Sequence, residues 1–472
     1  MNPGQSLDKI QEQIKTGKYT IVQLVEYYLQ KIEDSKHLNA YLEIFEDEAL
    51  EKAQNLDRKL KENPQSCGKA IGAIISIKDV ICYKDHKVSA SSKILAGFES
   101  LYSATAVQRV LDEDAIIIGR TNCDEFAMGS GNENSAFGPV INGIGKNRVP
   151  GGSSGGAAVS VQMNTCVAAL GSETGGSIRQ PAAFTGILGF KPSYGRVSRY
   201  GLIAYGSSFD QIGVFSKNVK TIAAFLEIIA GNDPFDATST TIKVDNYSKL
   251  QNLGPQKIAY IEDALTHPSI SPAIKTATLK TIESLKKQGH QLSPVKFKYL
   301  DAVVATYYVL TTAEASSNLG RFDGIRYGHR SKNAKDIHEL YIKSRSEGFG
   351  DEVKRRIMMG SFVLSVGFYD AYFTKAQKVR KLIKQELEEI FNTFAFVLMP
   401  TTPNVAWQLN ETSADPLKEY LADIFTVIAN LAGIPAISFP VQYTDNGLPI
   451  GMQLMAPKFK ERHLLSFISS VT

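Results

Sequence analysis

The stretch Ile71-Gly-Ala-Ile-Ile-Ser-Ile77, which ends at Lys78-Asp79, is the clearest β-strand in the sequence. A short run that is apolar at nearly every position is typical of a strand buried on both faces of a sheet. A second apolar run, Ala115 to Ile118, follows an amphipathic stretch. Strand, helix and strand at this spacing indicate a βαβ unit, and so the sequence predicts an α/β fold.

The residues before this unit are predicted to be helical. Thr20 and Gln23 fit a capping box, and the apolar residues from Leu24 to Ile32 recur at helical spacing. A second helix is predicted from Glu46 to Lys61. We therefore divide the chain into an N-terminal helical cover, residues 1–65, and a larger domain, residues 66–472. The glycine-rich core of that domain is placed at about residues 71–215.

The remainder of the chain is predicted to complete the sheet. Amphipathic patterns predict helices, and apolar runs bounded by Pro predict strands. The predicted helices cover Ala157 to Leu170, Ala273 to Gly289 and Lys375 to Phe391, and the predicted strands cover Phe394 to Met399, Ala436 to Val441 and Gly451 to Met455. Strands at both ends of the chain predict one sheet built from distant segments.

The composition excludes several classes of protein. The chain has 472 residues, 43% hydrophobic and 21% charged, with 52 Lys and Arg against 48 Asp and Glu. These values are typical of a soluble globular protein and argue against disorder or a disulfide scaffold. A net charge of +4 provides no strong field for nucleic acid or a membrane surface. Contact with nucleic acid is expected to be local or made by a partner.

The cysteines and the N-terminus indicate the compartment. The four cysteines are Cys67, Cys82, Cys123 and Cys166, with no CxxC pair and no His cluster beside them. This spacing predicts no metal site and fits a reducing cytosol. No apolar run has the length of a signal peptide or of a membrane helix. We expect a cytoplasmic protein with no membrane contact.

Residues 129–201 contain 16 of the 37 glycines. Glycine permits close approach of the backbone and positive φ. Apolar residues such as Val161, Leu170, Phe184 and Phe190 are interleaved with the glycines, which a flexible linker would lack. We interpret this region as an ordered core that surrounds a site.

Lys78 is the first candidate for chemistry, because it lies at the exit of a buried strand. A lysine in that place is paired, extends to water or is functional. Apolar surroundings would lower its pKa and make the neutral amine a usable base.

The second candidate is Gly151-Gly-Ser-Ser-Gly-Gly156, at the start of a predicted helix. It can be a simple turn or an anion site, since amides at a helix start favour negative charge. A Walker-type loop is absent, because no Lys follows the last glycine. The hexamer also matches the G-x-S-x-G elbow of α/β-hydrolases, with Ser154 as nucleophile. Lys146 to Pro150 is a poor candidate for the strand that this elbow requires.

The third candidate is Gly171-Ser-Glu-Thr-Gly-Gly-Ser-Ile-Arg179. Ser177 follows two glycines, and the backbone amides of Thr174, Gly175, Gly176 and Ser177 can form an oxyanion hole. Among the seven histidines only His86 lies near the Lys78 strand in sequence, and a remote Ser–His–Asp triad stays open. A Ser–Lys arrangement needs no histidine; it would use Ser177 as nucleophile, Ser153 as relay and Lys78 as base.

Lys78, the GGSSGG segment and GSETGGSIRQPA, with 24 residues between Ser153 and Ser177, together resemble the amidase signature family. The resemblance implies a large mixed β-sheet covered by helices on both faces. It also implies a Ser–cis-Ser–Lys set made of Ser177, Ser153 and Lys78, with a cis peptide bond before Ser153.

Further segments narrow the resemblance to the amidase-type subunit of the glutamyl-tRNA(Gln)/aspartyl-tRNA(Asn) amidotransferases. These segments are residues 124–129, 191–201, 316–328, 344–350 and 353–357. The resemblance implies that glutamine is the ammonia donor, with Arg356 on its α-carboxylate, Asp423 on its α-amino group and Tyr307 lining the pocket. Residue chemistry alone favours surface ion pairs for Arg356 and Asp423.

The resemblance also implies partners. A B subunit would use ATP and Mg²⁺ to activate misacylated tRNA and would hold most of that tRNA, and a small C subunit would stabilise the pair. The resemblance implies no cofactor and no metal on this chain.

Glu173 stands where many members of the family have Asp. The alternatives are a stand-alone amidase acting on another amide, and an inactive scaffold that only holds partners.

Overall fold

The computed structural model describes residues 5–411 and 416–472. Within these residues eleven strands form one mixed sheet in the order β1-β3-β2-β4-β6-β5-β10-β11-β9-β7-β8. The pairs β2/β3, β2/β4, β7/β8 and β7/β9 are parallel, and the other neighbours are antiparallel. The α/β fold and the large mixed sheet are therefore confirmed.

The strands are β1 (Tyr41–Ile44), β2 (Ile74–Lys78), β3 (Ile116–Thr121), β4 (Ala168–Glu173), β5 (Leu188–Lys191), β6 (Gln211–Ser216), β7 (Lys257–Ile261), β8 (Gln291–Val295), β9 (Phe396–Pro400), β10 (Ala436–Tyr443) and β11 (Pro449–Met455). The α-helices are α1 (Leu7–Lys15), α2 (Ile21–Asp34), α3 (Glu46–Glu62), α4 (Thr105–Asp112), α5 (Gly155–Gln162), α6 (Arg179–Thr185), α7 (Val219–Ile229), α8 (Glu262–Thr266), α9 (Pro272–Lys287), α10 (Val303–Asn318), α11 (Ile337–Gly348), α12 (Asp351–Val363), α13 (Lys375–Phe391), α14 (Pro416–Leu421), α15 (Val427–Ala432) and α16 (Glu461–Val471).

The helices that the sequence predicts near its start are present. Thr20 caps α2 in a capping box with Gln23, whose backbone N–H donates to the Thr20 hydroxyl at 3.1 Å. The predicted helix at Glu46 is α3, which ends one residue later than expected. The helix predicted over Lys375–Phe391 is α13, with the same bounds.

Two predictions around the central strands need correction. β2 begins at Ile74 and not at Ile71, because residues 70–73 form a turn with Gly72 at a φ of +77°. The helix predicted over Ala157–Leu170 ends at Gln162, and Asn164 leaves the helix at a φ of +57°. Residues 168–170 then enter β4. Nearly every residue of this Ala- and Val-rich run is buried. The run therefore has no single apolar face, and its pattern does not distinguish a helix from a strand.

Both faces of the central sheet are covered. Every residue of β2, β3, β4, β5, β6, β9 and β11 is buried. Successive residues of a strand point to opposite faces, so helices and loops must cover the sheet on both sides. Among the helices of the described residues, none combines the length and the apolar character needed to span a membrane.

Candidate active site

Lys78 lies at the carboxyl end of β2, and its side chain is fully buried. Its Nζ atom donates hydrogen bonds to the Oγ atoms of Ser153, at 2.7 Å, and Ser172, at 2.9 Å. Burial lowers the pKa of the amine to about 8. The alternative in which this lysine extends to water is wrong. The structure instead provides an amine that loses its proton near neutral pH.

Ser153 belongs to the GGSSGG segment, which leads into α5. The peptide bond between Gly152 and Ser153 is cis, as the resemblance implies. The carboxylate of Asp124 accepts hydrogen bonds from the backbone N–H groups of Asn132, at 2.9 Å, and Asn134, at 3.0 Å, while the Asp124 N–H donates to the Ser153 carbonyl at 3.1 Å. Asp124 therefore fixes the loop that carries Ser153. The sequence identifies Asp124 only as part of the motif at residues 124–129.

Ser154 does not have the geometry of a hydrolase elbow. Its hydroxyl donates to the backbone carbonyl of Ser172 at 3.0 Å, and its side chain is buried. Residues 146–150 form no strand of the sheet. The Ser154 N–H donates to the Ser177 carbonyl at 3.2 Å and joins the two serine-bearing loops.

Ser177 follows the end of β4 and precedes α6. Its hydroxyl makes no hydrogen bond to any residue within 5–411 or 416–472, and the residue is 8% exposed. In the same part of the chain, the N–H groups of Gly175, Gly176 and Ser177 have no acceptor. Consecutive unpaired amides beside a serine hydroxyl are what an oxyanion hole requires.

Close packing explains the two glycines before Ser177. A Cβ atom on Gly175 would overlap the ring of Tyr307, and Gly176 has a φ of +145° and packs against Thr426. The Thr426 hydroxyl donates to the Gly175 carbonyl at 2.7 Å. Tyr307 therefore lies directly against the predicted oxyanion loop.

Glu173 anchors the other end of this loop. Its carboxylate accepts hydrogen bonds from the N–H groups of Ile178 and Arg179, both at 3.0 Å, and from Nε of Arg179 at 2.9 Å. Burial raises the pKa of Glu173, but the charge of Arg179, its hydrogen bonds and the charge of Lys191 together lower that pKa below its usual value. The Glu173 side chain is thus fully accommodated in this loop.

Arg356 extends from α12 into a buried cage of tyrosines. Its guanidinium carbon lies 5.5 Å from the ring centre of Tyr205, 5.1 Å from that of Tyr308 and 5.6 Å from that of Tyr420. Nε donates to Glu352 at 2.7 Å, and Nη1 donates to the Tyr205 hydroxyl at 2.9 Å. The prediction of a surface ion pair for Arg356 is therefore wrong, because the residue and its partner Glu352 are buried. Its partner Glu352 lies four residues earlier on α12, at the spacing of ion pairs along a helix, and this spacing is the signal that could have identified it.

Asp423 lies beside the same cage. Its carboxylate accepts hydrogen bonds from the Ser130 hydroxyl at 3.1 Å and from the Tyr308 hydroxyl at 3.0 Å. Burial raises the pKa of Asp423 to about 7. Tyr308 contacts Arg356 through its ring and Asp423 through its hydroxyl, so the structure brings the predicted carboxylate-binding and amine-binding residues together.

A buried chain of contacts joins Arg356 to the loop before Ser177. Tyr205, which accepts from Arg356, donates its backbone N–H to Asp210 at 2.9 Å. Asp210 also accepts from the Thr174 hydroxyl at 2.6 Å. The two halves of the predicted site therefore share one hydrogen-bond network.

His86, the histidine nearest to Lys78 in sequence, has other partners: it bonds to Glu48 at 2.7 Å and stacks on Tyr83. Over residues 5–411 and 416–472, no group of three or more His, Cys, Asp or Glu side chains is placed to hold a metal ion.

Comparisons with known proteins identify the family. The Amidase family model matches residues 23–465. The chain is 47% identical over 471 residues to the A subunit of the glutamyl-tRNA(Gln) amidotransferase of Koribacter versatilis (strain Ellin345), covering 99% of this chain and 97% of that protein. It is 45% identical over 465 residues to the protein of the same name from Prosthecochloris aestuarii, covering 98% and 97%.

Solved structures give the same result. The crystal structure of the A subunit of glutamyl-tRNA(Gln) amidotransferase from Thermotoga maritima superposes with a TM-score of 0.79 at 38% identity, covering 97% of this chain and 92% of that one. The native peptide amidase from Stenotrophomonas maltophilia superposes with a TM-score of 0.83 at 27% identity, covering 98% and 96%. The fold and these matches lead to one conclusion: the chain belongs to the amidase family.

Proposed function

We propose that this chain is the glutamine-hydrolysing subunit of a tRNA-dependent amidotransferase. The observation that carries the proposal is the fully buried amine of Lys78, 2.7 Å from the Ser153 hydroxyl. Identities of 45–47% to amidotransferase subunits, over nearly the whole chain, support glutamine as the amide. Buried Arg356 and Asp423 beside the site suit a zwitterionic substrate, because Arg pairs with a planar carboxylate and Asp with an ammonium group.

The proposed reaction uses the hydroxyls of Ser177 and Ser153 and the amine of Lys78. The Ser177 hydroxyl attacks the side-chain amide carbon of glutamine; its proton passes to Ser153, and the proton of Ser153 passes to the neutral amine of Lys78. The unpaired amides of Gly175, Gly176 and Ser177 stabilise the oxyanion. Collapse of the tetrahedral intermediate breaks the carbon–nitrogen bond, and the leaving nitrogen takes a proton back through the relay and departs as ammonia. Water then hydrolyses the glutamyl ester on Ser177.

The ammonia would pass to a B subunit that uses ATP and Mg²⁺ to activate misacylated tRNA and holds most of that tRNA. A C subunit would complete a cytoplasmic heterotrimer that serves translation. Glu-tRNA(Gln) is the proposed substrate of the complex, and Asp-tRNA(Asn) is a second one to be assayed beside it. ATP and Mg²⁺ are assigned to the partner, and this chain is assigned no cofactor of its own.

The first experiment treats the purified chain with glutamine or an electrophilic glutamine analogue and locates the covalent adduct by mass spectrometry. We expect the adduct on Ser177. Ser177→Ala should lose both the adduct and ammonia release, while the matched variant Ser154→Ala keeps ammonia release. An active Ser177→Ala together with an inactive Ser154→Ala would contradict the assignment.

The second experiment co-expresses the chain with the B and C subunits from the same genome. We expect a 1:1:1 complex that makes Gln-tRNA from Glu-tRNA(Gln), glutamine, ATP and Mg²⁺. A lone chain that hydrolyses another amide efficiently and ignores glutamine would favour the stand-alone amidase. A complex that forms without any glutaminase activity would favour the inactive scaffold.

A further inference from the structure

Large apolar side chains are concentrated on one exposed surface formed by α12, the turn that follows it and the π-helix Tyr369–Thr374. We define the aromatic patch as Met358, Phe362, Val366, Phe368, Tyr369 and Tyr372. These are six of the nineteen large apolar residues exposed in the described part of the chain, and they fall within fifteen consecutive positions. Such clustering differs from the single exposed apolar residues that are common on protein surfaces.

The rings of the patch pack against one another. The ring centre of Phe362 lies 4.3 Å from that of Phe368 and 5.9 Å from that of Tyr372. Met358 is 71% exposed and Val366 is fully exposed. An apolar surface of this kind, built on a helix and open to water, is typical of a protein interface.

The charges around the patch indicate the chemistry of the partner. Residues 351–381 contain seven Lys and Arg against three Asp and Glu. Arg356 and Glu352 of this set are buried, and the exposed acids are Asp351 and Asp370. The exposed cations are Arg355, Lys375, Lys378 and Lys381. Complementary charge steers association and selects the partner, so we expect acidic residues around an apolar surface on the partner.

Lysines beside aromatic rings also occur in nucleic-acid sites, but here the side chains favour a protein. Binding of single strands requires open ring faces on which bases stack, whereas Phe362, Phe368 and Tyr372 pack on each other. Met358 and Val366 offer no contact to a phosphate. Aromatic residues and Met are enriched at the centre of protein interfaces.

The patch is connected to the substrate pocket through α12. Arg356, which lies in the tyrosine cage, is two residues before Met358 on the same helix. Its partner Glu352 is also on α12 and accepts from the Tyr420 hydroxyl at 3.0 Å. A protein bound on the outer face of α12 therefore contacts the element that positions the buried guanidinium.

We propose that the aromatic patch is the docking surface for a partner subunit with an acidic-rimmed apolar face, and that docking fixes α12 and with it Arg356. This inference rests on the proposed function, because the partner is a subunit of the proposed complex. Docking would lower the KM for glutamine in the complex relative to the isolated chain, since Arg356 faces the substrate.

The test introduces Phe362→Asp into the full chain and co-expresses it with the B and C subunits. Leu279→Asp on α9 is the matched control, because Leu279 is 49% exposed and Phe362 is 48% exposed. We expect Phe362→Asp to weaken the affinity for the partner at least about 30-fold, as loss of an interface anchor does. Leu279→Asp should bind as the unaltered chain does. Isolated Phe362→Asp should keep the basal glutaminase activity and far-UV circular dichroism of the isolated chain.

The outcomes separate this inference from the proposed function. If the unaltered chain forms no complex, the proposed function fails. If the unaltered chain and Phe362→Asp bind the partner equally well, only the docking surface is wrong. Light scattering of the isolated chain tests whether the patch binds a second copy of the same chain. If the isolated chain is a dimer and Phe362→Asp makes it a monomer, the proposal that the patch binds a partner subunit is overturned. A complex that binds glutamine no better than the isolated chain would overturn the link to Arg356.

Discussion

The Nζ atom of Lys78 lies 2.7 Å from the Oγ atom of Ser153, and both side chains are fully buried. An amine without contact to water favours its neutral form, and a neutral amine can accept a proton from the hydroxyl beside it. This pair turns a strand-end lysine, a residue type that usually extends to solvent, into a candidate general base.

The first prediction concerns pH. Burial lowers the pKa of Lys78 to about 8, so the amine is protonated below that pH and neutral above it. We expect kcat/KM for glutamine hydrolysis to fall about tenfold per pH unit below about 8 and to level off above it. Steady-state assays from pH 6 to 10 measure this profile. Burial also raises the pKa of Asp423 to about 7. If kcat/KM of Asp423→Asn no longer falls at low pH, the fall belongs to that carboxyl and not to Lys78.

The second prediction concerns Ser172, whose hydroxyl accepts the other hydrogen bond from Lys78, at 2.9 Å. Ser172→Ala leaves one N–H of the amine unpaired and free to rotate, so kcat should fall about ten- to a hundredfold. A hydrogen bond from the charged amine favours the charged form; its loss should move the midpoint of the pH profile downward. Ser172→Thr keeps the hydroxyl and should restore both values. A fall in kcat with an unmoved midpoint would indicate packing damage alone.

The third prediction concerns the tyrosine cage. Arg356→Lys keeps the charge but loses the planar fork that pairs with a carboxylate. The KM for glutamine should rise about ten- to a hundredfold, with little change in kcat. Arg355→Lys is the matched control, because Arg355 is the next residue, also contacts Glu352 and is 45% exposed in its side chain. Equal effects of the two variants on KM would argue against a role for Arg356 in substrate binding.

The fourth prediction concerns the fully buried pair of Glu173 and Arg179. Glu173→Gln removes one charge and should lower the free energy of unfolding by about 3–5 kcal/mol. Because the net pKa of Glu173 is lowered in the folded state, its contribution is present above its unfolded pKa of about 4.3 and is lost as pH falls through the folded value.

Urea denaturation of the unaltered chain and of Glu173→Gln at pH 7 measures this loss of stability, and the difference between the two should shrink as the pH falls below about 4.3. Glu173→Asp keeps the charge and should be much less destabilised. Glu283→Gln, at an exposed pair with Lys287, is the surface control and should change stability little. Equal stabilities of Glu173→Gln and Glu283→Gln would show that the buried pair does not stabilise the loop.

The local elements were predictable because short-range patterns specify them. The capping box at Thr20, the bounds of α13 and the buried strand before Lys78 follow from neighbouring residues. Prediction failed over residues 157–170, where a run buried on all sides has no apolar stripe and only Asn164 marks the end of the helix. The division into residues 1–65 and 66–472, with a core at about 71–215, stays a prediction.

The sequence by itself determined the chemical inventory and the family: a strand-end lysine, two serines in glycine-rich segments and the motifs that surround them. Only the tertiary structure decided which groups meet. Asp124, Ser172 and Tyr205 became visible as partners because they contact site residues through space and follow no local spacing. Glu352 lies four residues before Arg356 on α12, and only the tertiary structure shows that this pair is buried. Tertiary packing also decided burial. Segments far away in the chain exclude water from the side chains of Lys78 and Arg356, and the pKa of Lys78 and the pairing of Arg356 depend on this exclusion.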